Sequence, residues 1–110
     1  MTHQAERRMY QRYALTCPIV ICDMQGNELV RTQTVNISDG GAFLAMPAPV
    51  DVTSVKTVAG QRVHAEVRLP RSTANSYLIE RIDSPARIIR HEAAGLAIMF
   101  IEPLQLHMDE

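Results

Sequence analysis

Glu28-Leu29-Val30-Arg31-Thr32-Gln33-Thr34-Val35-Asn36-Ile37, followed at once by Ser38-Asp39-Gly40-Gly41 and then by Ala42-Phe43-Leu44-Ala45-Met46, decides how this chain folds. The first run is rich in Val and Thr, whose branched side chains suit a pleated, half-buried surface. Ser, Asp and two Gly then interrupt it with turn-forming chemistry. A second apolar run resumes directly, so the reading is two strands joined by a tight corner. Pro47 and Pro49 end the second strand, because proline cannot continue a hydrogen-bonded ladder.

Outward from this pair the pattern repeats. Residues 13–22 read as a preceding strand, ended by the turn Gln25-Gly26-Asn27. Downstream, 62–69 alternates Val63, Ala65, Val67 and Leu69 in the two-residue period of a strand. Residues 78–90 read as a long strand bent near Ser84-Pro85, and 91–94 turn it back into 95–100. The segment 102–110 is expected to form a short terminal helix or tail, and 50–61 has no assigned path. Six strands without helices between them predict an antiparallel sandwich or small closed barrel, since parallel pairs need long crossovers. With 110 residues, 46% of them hydrophobic, the chain suits one domain with a modest core.

Composition excludes more than it selects. A net charge of −1 argues against a partner that is a nucleic acid polymer, because phosphate-backbone binders carry a strong positive excess. Cys17 and Cys22 are five residues apart in the expected first strand, where an odd offset sends them to opposite faces and prevents a bridge. Two such thiols, with no apolar run long enough to span a bilayer and no secretory leader, point to a cytoplasmic protein without membrane insertion. His3, His64, His91 and His107 form no short-spaced pair, so no metal site is expected. No nucleophile elbow, phosphate loop or zinc-protease helix motif is present, and no enzyme activity or cofactor is expected.

Two short motifs carry the binding chemistry. Arg8-Met9-Tyr10-Gln11-Arg12 places two arginines four apart, on one side of the chain in either a helix or a strand. Guanidinium forks bond phosphate oxygens and the O6/N7 edge of guanine, and they stack on flat rings. With ten arginines in the chain, about one such spacing is expected by chance, so this motif alone is weak. The second is Asn36-x-Ser38-x-x-Gly41, a much rarer pattern. Here the amide oxygen of Asn36 can accept from a base edge, Ser38 offers a small donor and acceptor, and Gly40 and Gly41 allow positive φ and close approach of backbone.

Arranged in this order, with a strand and a hairpin between them, the motifs resemble those of the PilZ domain family. The resemblance runs from Arg7 to Phe100 and includes a closing Gly95-Leu96-Ala97-Ile98-Met99-Phe100 strand. It implies an all-β fold, a six-stranded antiparallel β-barrel at 13–101. A flexible arm at 1–12 would carry the arginines over the barrel mouth, and 102–110 would follow as helix or tail. The implied ligand is the bacterial second messenger cyclic di-GMP, and the implied site is Arg7, Arg8, Arg12, Asn36, Ser38, Gly40 and Gly41. Asn36 stands where the family more often has Asp, which removes a full negative charge from the base contact. Arg7, just before the motif, resembles members that take up the ligand as an intercalated dimer.

Ordering about eight loose residues costs on the order of 8 kcal/mol. Several charge-assisted bonds at about 1.5–3 kcal/mol each can offset it, so binding would reshape the amino-terminal surface. The resemblance therefore implies a receptor, monomeric or weakly dimeric, that signals to a downstream protein in motility, biofilm or exopolysaccharide control. The competing expectation is a nucleotide-independent adaptor of the same fold that docks a pilus or flagellar protein. Single-stranded nucleic acid is disfavoured, because three Tyr and two Phe scarcely supply stacking platforms.

Overall fold

The computed structural model describes residues 11–46, 57–72 and 76–106. Within them lie six strands: β1 Pro18–Cys22, β2 Glu28–Ile37, β3 Gly41–Ala45, β4 Arg62–Ser72, β5 Tyr77–Glu92 and β6 Gly95–Phe100. They close into an antiparallel barrel in the order β1-β2-β3-β6-β5-β4. Closure of β4 onto β1 removes the open edges that a sheet of this size would otherwise expose.

Alternation explains the core. Ile19 and Ile21 of β1, Val63, Ala65, Val67 and Leu69 of β4, and Leu96, Ile98 and Phe100 of β6 all face inward and are buried. They meet Leu44 of β3 and Ile88 of β5 in one cluster that fills the barrel. Burying each large aliphatic side chain contributes roughly 1.5–3 kcal/mol. Among the described residues, no fully enclosed side-chain nitrogen or oxygen lacks a hydrogen-bond partner.

Three elements differ from the expectation. The first strand begins at Pro18 rather than at 13, because the backbone of 13–17 follows β2 irregularly. Tyr13 exchanges both backbone hydrogen bonds with Ile37 (2.8 and 3.0 Å), and Thr34 Oγ1 accepts from Cys17 N at 2.8 Å while donating to Leu15 O at 2.6 Å. Both β4 and β5 run longer than expected. Beyond Val67, where pairing with β1 stops, β4 pairs only with β5, so Pro70 sits in a two-stranded arm instead of terminating the strand. Pro85 likewise stays inside β5, since the ladder to β6 starts one residue later, at Ala86↔Phe100.

Of the segment expected as helix or tail, residues 102–106 are non-helical, and 107–110 lie outside the described residues. Leu104 and Leu106 are buried on either side of exposed Gln105, the two-residue alternation of extended chain. Of the segment 50–61, residues 57–61 are described: a turn with Gly60 at φ +88° docks on β5 through Gly60 N to Ile88 O (2.7 Å). Cys17 and Cys22 are free thiols, and burial pushes both above their ordinary pKa.

Candidate ligand-binding site

The corner after β2 is built by its own serine. Ser38 Oγ accepts from the backbone N–H groups of Gly40 and Gly41, each at 3.2 Å, and donates to Gly41 O at 3.3 Å. A hydroxyl has one donor and two acceptor positions. All three of Ser38 are committed to the corner, and the residue is buried. Neither Gly40 nor Gly41 has positive φ, contrary to expectation. Gly41 is required for the other reason foreseen: a Cβ there would stand 2.5 Å from Ile98 O on β6.

The arm reaches this corner through the pairing of Tyr13 with Ile37. One residue earlier, Arg12 Nη1 donates to Asn36 Oδ1 at 2.9 Å. The two motifs, 24 residues apart in sequence, are thus in direct contact. Arg7 and Arg8 lie outside the described residues.

Beside the contact is a cavity of about 510 Å³, within the ~300–1,000 Å³ that holds small molecules. Arg12, Ser38, Gly40 and Gly41 line it, together with Phe43, Ile89, Arg90, Ala97, Met99 and Pro103. It lies against the outside of the β3-β6-β5 wall, where Phe43, Ala97 and Met99 alternate with the inward Ala42, Leu44, Leu96 and Ile98. The cavity thus lies on the outer wall, the interior being filled by the core cluster; residues 1–10 of the arm expected over the barrel mouth lie outside the described residues. Phe43 finds room on this wall because Gly95 has no side chain: a Cβ there would fall 2.7 Å from its ring.

Cross-strand register arranges the wall as a row. Asn36 of β2 pairs with Phe43 of β3, Phe43 with Ala97 of β6, and Ala97 with Arg90 of β5. Both ends of the row depend on a bulge. Register shifts between Thr34 and Asn36 and between Ile88 and Arg90 leave Val35 and Ile89 as extra residues. Thr34 and Ile88 point inward, so strict alternation would send Asn36 and Arg90 inward as well. One inserted residue turns each outward. Arg90 and the apolar floor were missed in the sequence; the outward positions of the closing strand, Ala97 and Met99, were the available signal.

Among the described residues, no group of three or more His, Cys, Asp or Glu could hold a metal ion. No helix there is long and apolar enough to cross a membrane.

Arg12 thus stands against the serine-glycine corner of a closed six-stranded antiparallel barrel. The PilZ domain family model matches residues 6–110, nearly the whole chain, and the protein belongs to that family. Among solved structures it is similar to the Bacillus subtilis inhibitor of motility MotI/DgrA, with 20% identity and a TM-score of 0.67 over 88% of this chain. The chain spans only 44% of that protein's length. It is also similar to the PilZ domain of CeSA from a cellulose-synthesizing bacterium, at 25% identity and a TM-score of 0.58, covering 87% of this chain and 86% of that one. No curated protein matches.

Proposed function

We propose that the protein is a cytoplasmic receptor for cyclic di-GMP whose amino-terminal arm closes on the ligand and presents a changed surface to a downstream protein. The observation that carries this reading is the Arg12–Asn36 hydrogen bond at the rim of the cavity. It joins a phosphate- and guanine-binding side chain to the second motif beside an apolar floor. Arg12 is exposed, so water can replace Asn36 as its guanidinium turns toward a ligand, and a phosphate offers it a stronger, fully ionic bond than the neutral amide. Arg7 and Arg8 precede it in the same arm and would add guanidinium contacts. Ser38, Gly40 and Gly41 would act by holding the corner to which the ligand is pressed, and Asn36 by meeting a guanine edge or aligning Arg12.

Calorimetric titration of the full chain with cyclic di-GMP, with GTP as control, tests the proposal. Saturable binding is expected, weakened at least about tenfold in Arg12→Ala or Arg8→Ala, a loss above about 1.4 kcal/mol. Equal affinities in the variants remove the assigned roles. One observation favours a nucleotide-independent adaptor that docks a pilus or flagellar component. Tyr77, Leu78 and Ile79 on the β4-β5 arm are 65%, 56% and 58% exposed, an apolar run suited to protein contact. No binding of cyclic di-GMP by the wild type would select that reading.

A further inference from the structure

We infer that Arg90 on β5 is a second phosphate-binding arm of the cavity, latched in the free protein by Glu92. The inference rests on the cyclic di-GMP reading and adds to it a residue outside both motifs.

The argument starts from the cross-strand row. Asn36, Phe43, Ala97 and Arg90 lie side by side on four neighbouring strands, so about 14 Å of wall separates the first from the last at the usual interstrand spacing. Positive charge stands at each end: Arg12 is bonded to Asn36, and Arg90 lines the opposite side of the same cavity. Between them the row offers only Phe43 and Ala97. Apolar surface flanked by two guanidinium groups complements a ligand with flat rings and two separated anionic groups. A cyclic dinucleotide has its two phosphodiesters on opposite sides of one macrocycle. One phosphate can meet Arg12 while the other meets Arg90, each by a charge-assisted bond.

The bulge at Ile89 supports a dedicated role. It interrupts the β5-β6 ladder, and its geometric effect is to deliver Arg90 to the outer face beside Ala97 instead of into the core beside Ile88. In the structure Arg90 Nε donates to Glu92 Oε2, and both side chains are substantially exposed, 59% and 40%. Glu92 does not line the cavity. A solvent-exposed pair of this kind is weak, so a ligand phosphate can displace the carboxylate with little loss. Glu92 therefore competes with the ligand for one guanidinium and acts on affinity only through Arg90.

The test is calorimetry of the full chain with cyclic di-GMP for wild type, Arg90→Ala, Arg90→Lys, Glu92→Gln and the Arg90→Ala/Glu92→Gln pair. Thermal midpoints confirm that each is folded. Arg90→Ala is expected to bind about fivefold more weakly, with Arg90→Lys recovering part of the loss. Glu92→Gln is expected to bind about twofold more tightly, and this gain should vanish when Arg90 is absent. Unchanged affinity in Arg90→Ala, with the wild type binding, overturns this inference and leaves the receptor reading standing. A Glu92→Gln variant that binds no more tightly, or gains equally without Arg90, overturns the latch. No binding by the wild type overturns the inference together with the reading beneath it.

Discussion

At one end of β2 Asp23 holds the turn that enters the strand; at the other, Ser38 holds the corner that leaves it. Both work by letting one side-chain oxygen accept two backbone N–H groups. Asp23 Oδ1 takes those of Gln25 (2.9 Å) and Asn27 (2.8 Å), as Ser38 Oγ takes those of Gly40 and Gly41. Their surroundings differ. The Asp23 turn stands in solvent, and Gly26 within it has φ +92° with nothing within 4 Å of where a Cβ would be. The Ser38 corner is pressed against β6, where Gly41 meets Ile98 O. The same local chemistry thus makes a self-sufficient turn in one place and a tertiary junction in the other. Only the junction is locked to a neighbouring strand.

Three measurements bear on that distinction. Gly41→Ala should be the most damaging change, because the new methyl group meets fixed backbone. Urea denaturation should show a loss of about 3 kcal/mol or more, in the upper range for overpacking. A loss as small as that of Gly26→Ala would mean that β6 yields and the corner is no more constrained than the turn. Gly26→Ala should cost about 1–2 kcal/mol, the penalty of left-handed backbone for an L-residue with no clash added, and should leave ligand affinity unaltered. A change in affinity would show that the turn communicates with the far end of β2.

The smallest effect concerns pH. Hydrogen bonds from the backbone and then the side-chain amide of Asn27 hold the Asp23 carboxyl below its ordinary range. A carboxyl whose folded pKa is depressed contributes stability above its unfolded value, near pH 4, and loses it as pH falls through the folded value. Asp23→Asn should therefore flatten the acid limb of the stability profile below about pH 4. If the profiles of Asp23→Asn and wild type overlay, the turn's ionised bonds contribute nothing measurable.

Strand content was plain in the sequence because burial inside a small barrel imposes alternation. Val63, Ala65, Val67 and Leu69 could face only one way, and β2 and β6 fall at their expected limits. The contact between arm and corner was also legible, since Arg12 and Asn36 stand in recognisable motifs. Arg90 was not. Its outward aim depends on the inserted Ile89, and a bulge is a choice of backbone register that leaves no mark on composition. Alternation counted straight through 88–90 places Arg90 beside Ile88, in the core. A proline misled for a related reason. The strand expected to stop at Leu69 continues through Pro70, because the ladder to β1 has already ended at Val67; Pro85 stays inside the long strand expected there, just before the ladder to β6 begins.

Asp39, the residue between Ser38 and Gly40, has a part beyond its turn. Its carbonyl takes the N–H of Leu104 at 2.7 Å and its carboxylate takes that of Leu106 at 3.0 Å, and both leucines are seated in the core. The corner is therefore tied to the segment beyond β6 by two parallel hydrogen bonds. Whatever tilts Asp39 must either drag those leucines or break their tether, so the corner and the segment beyond β6 move together or come apart.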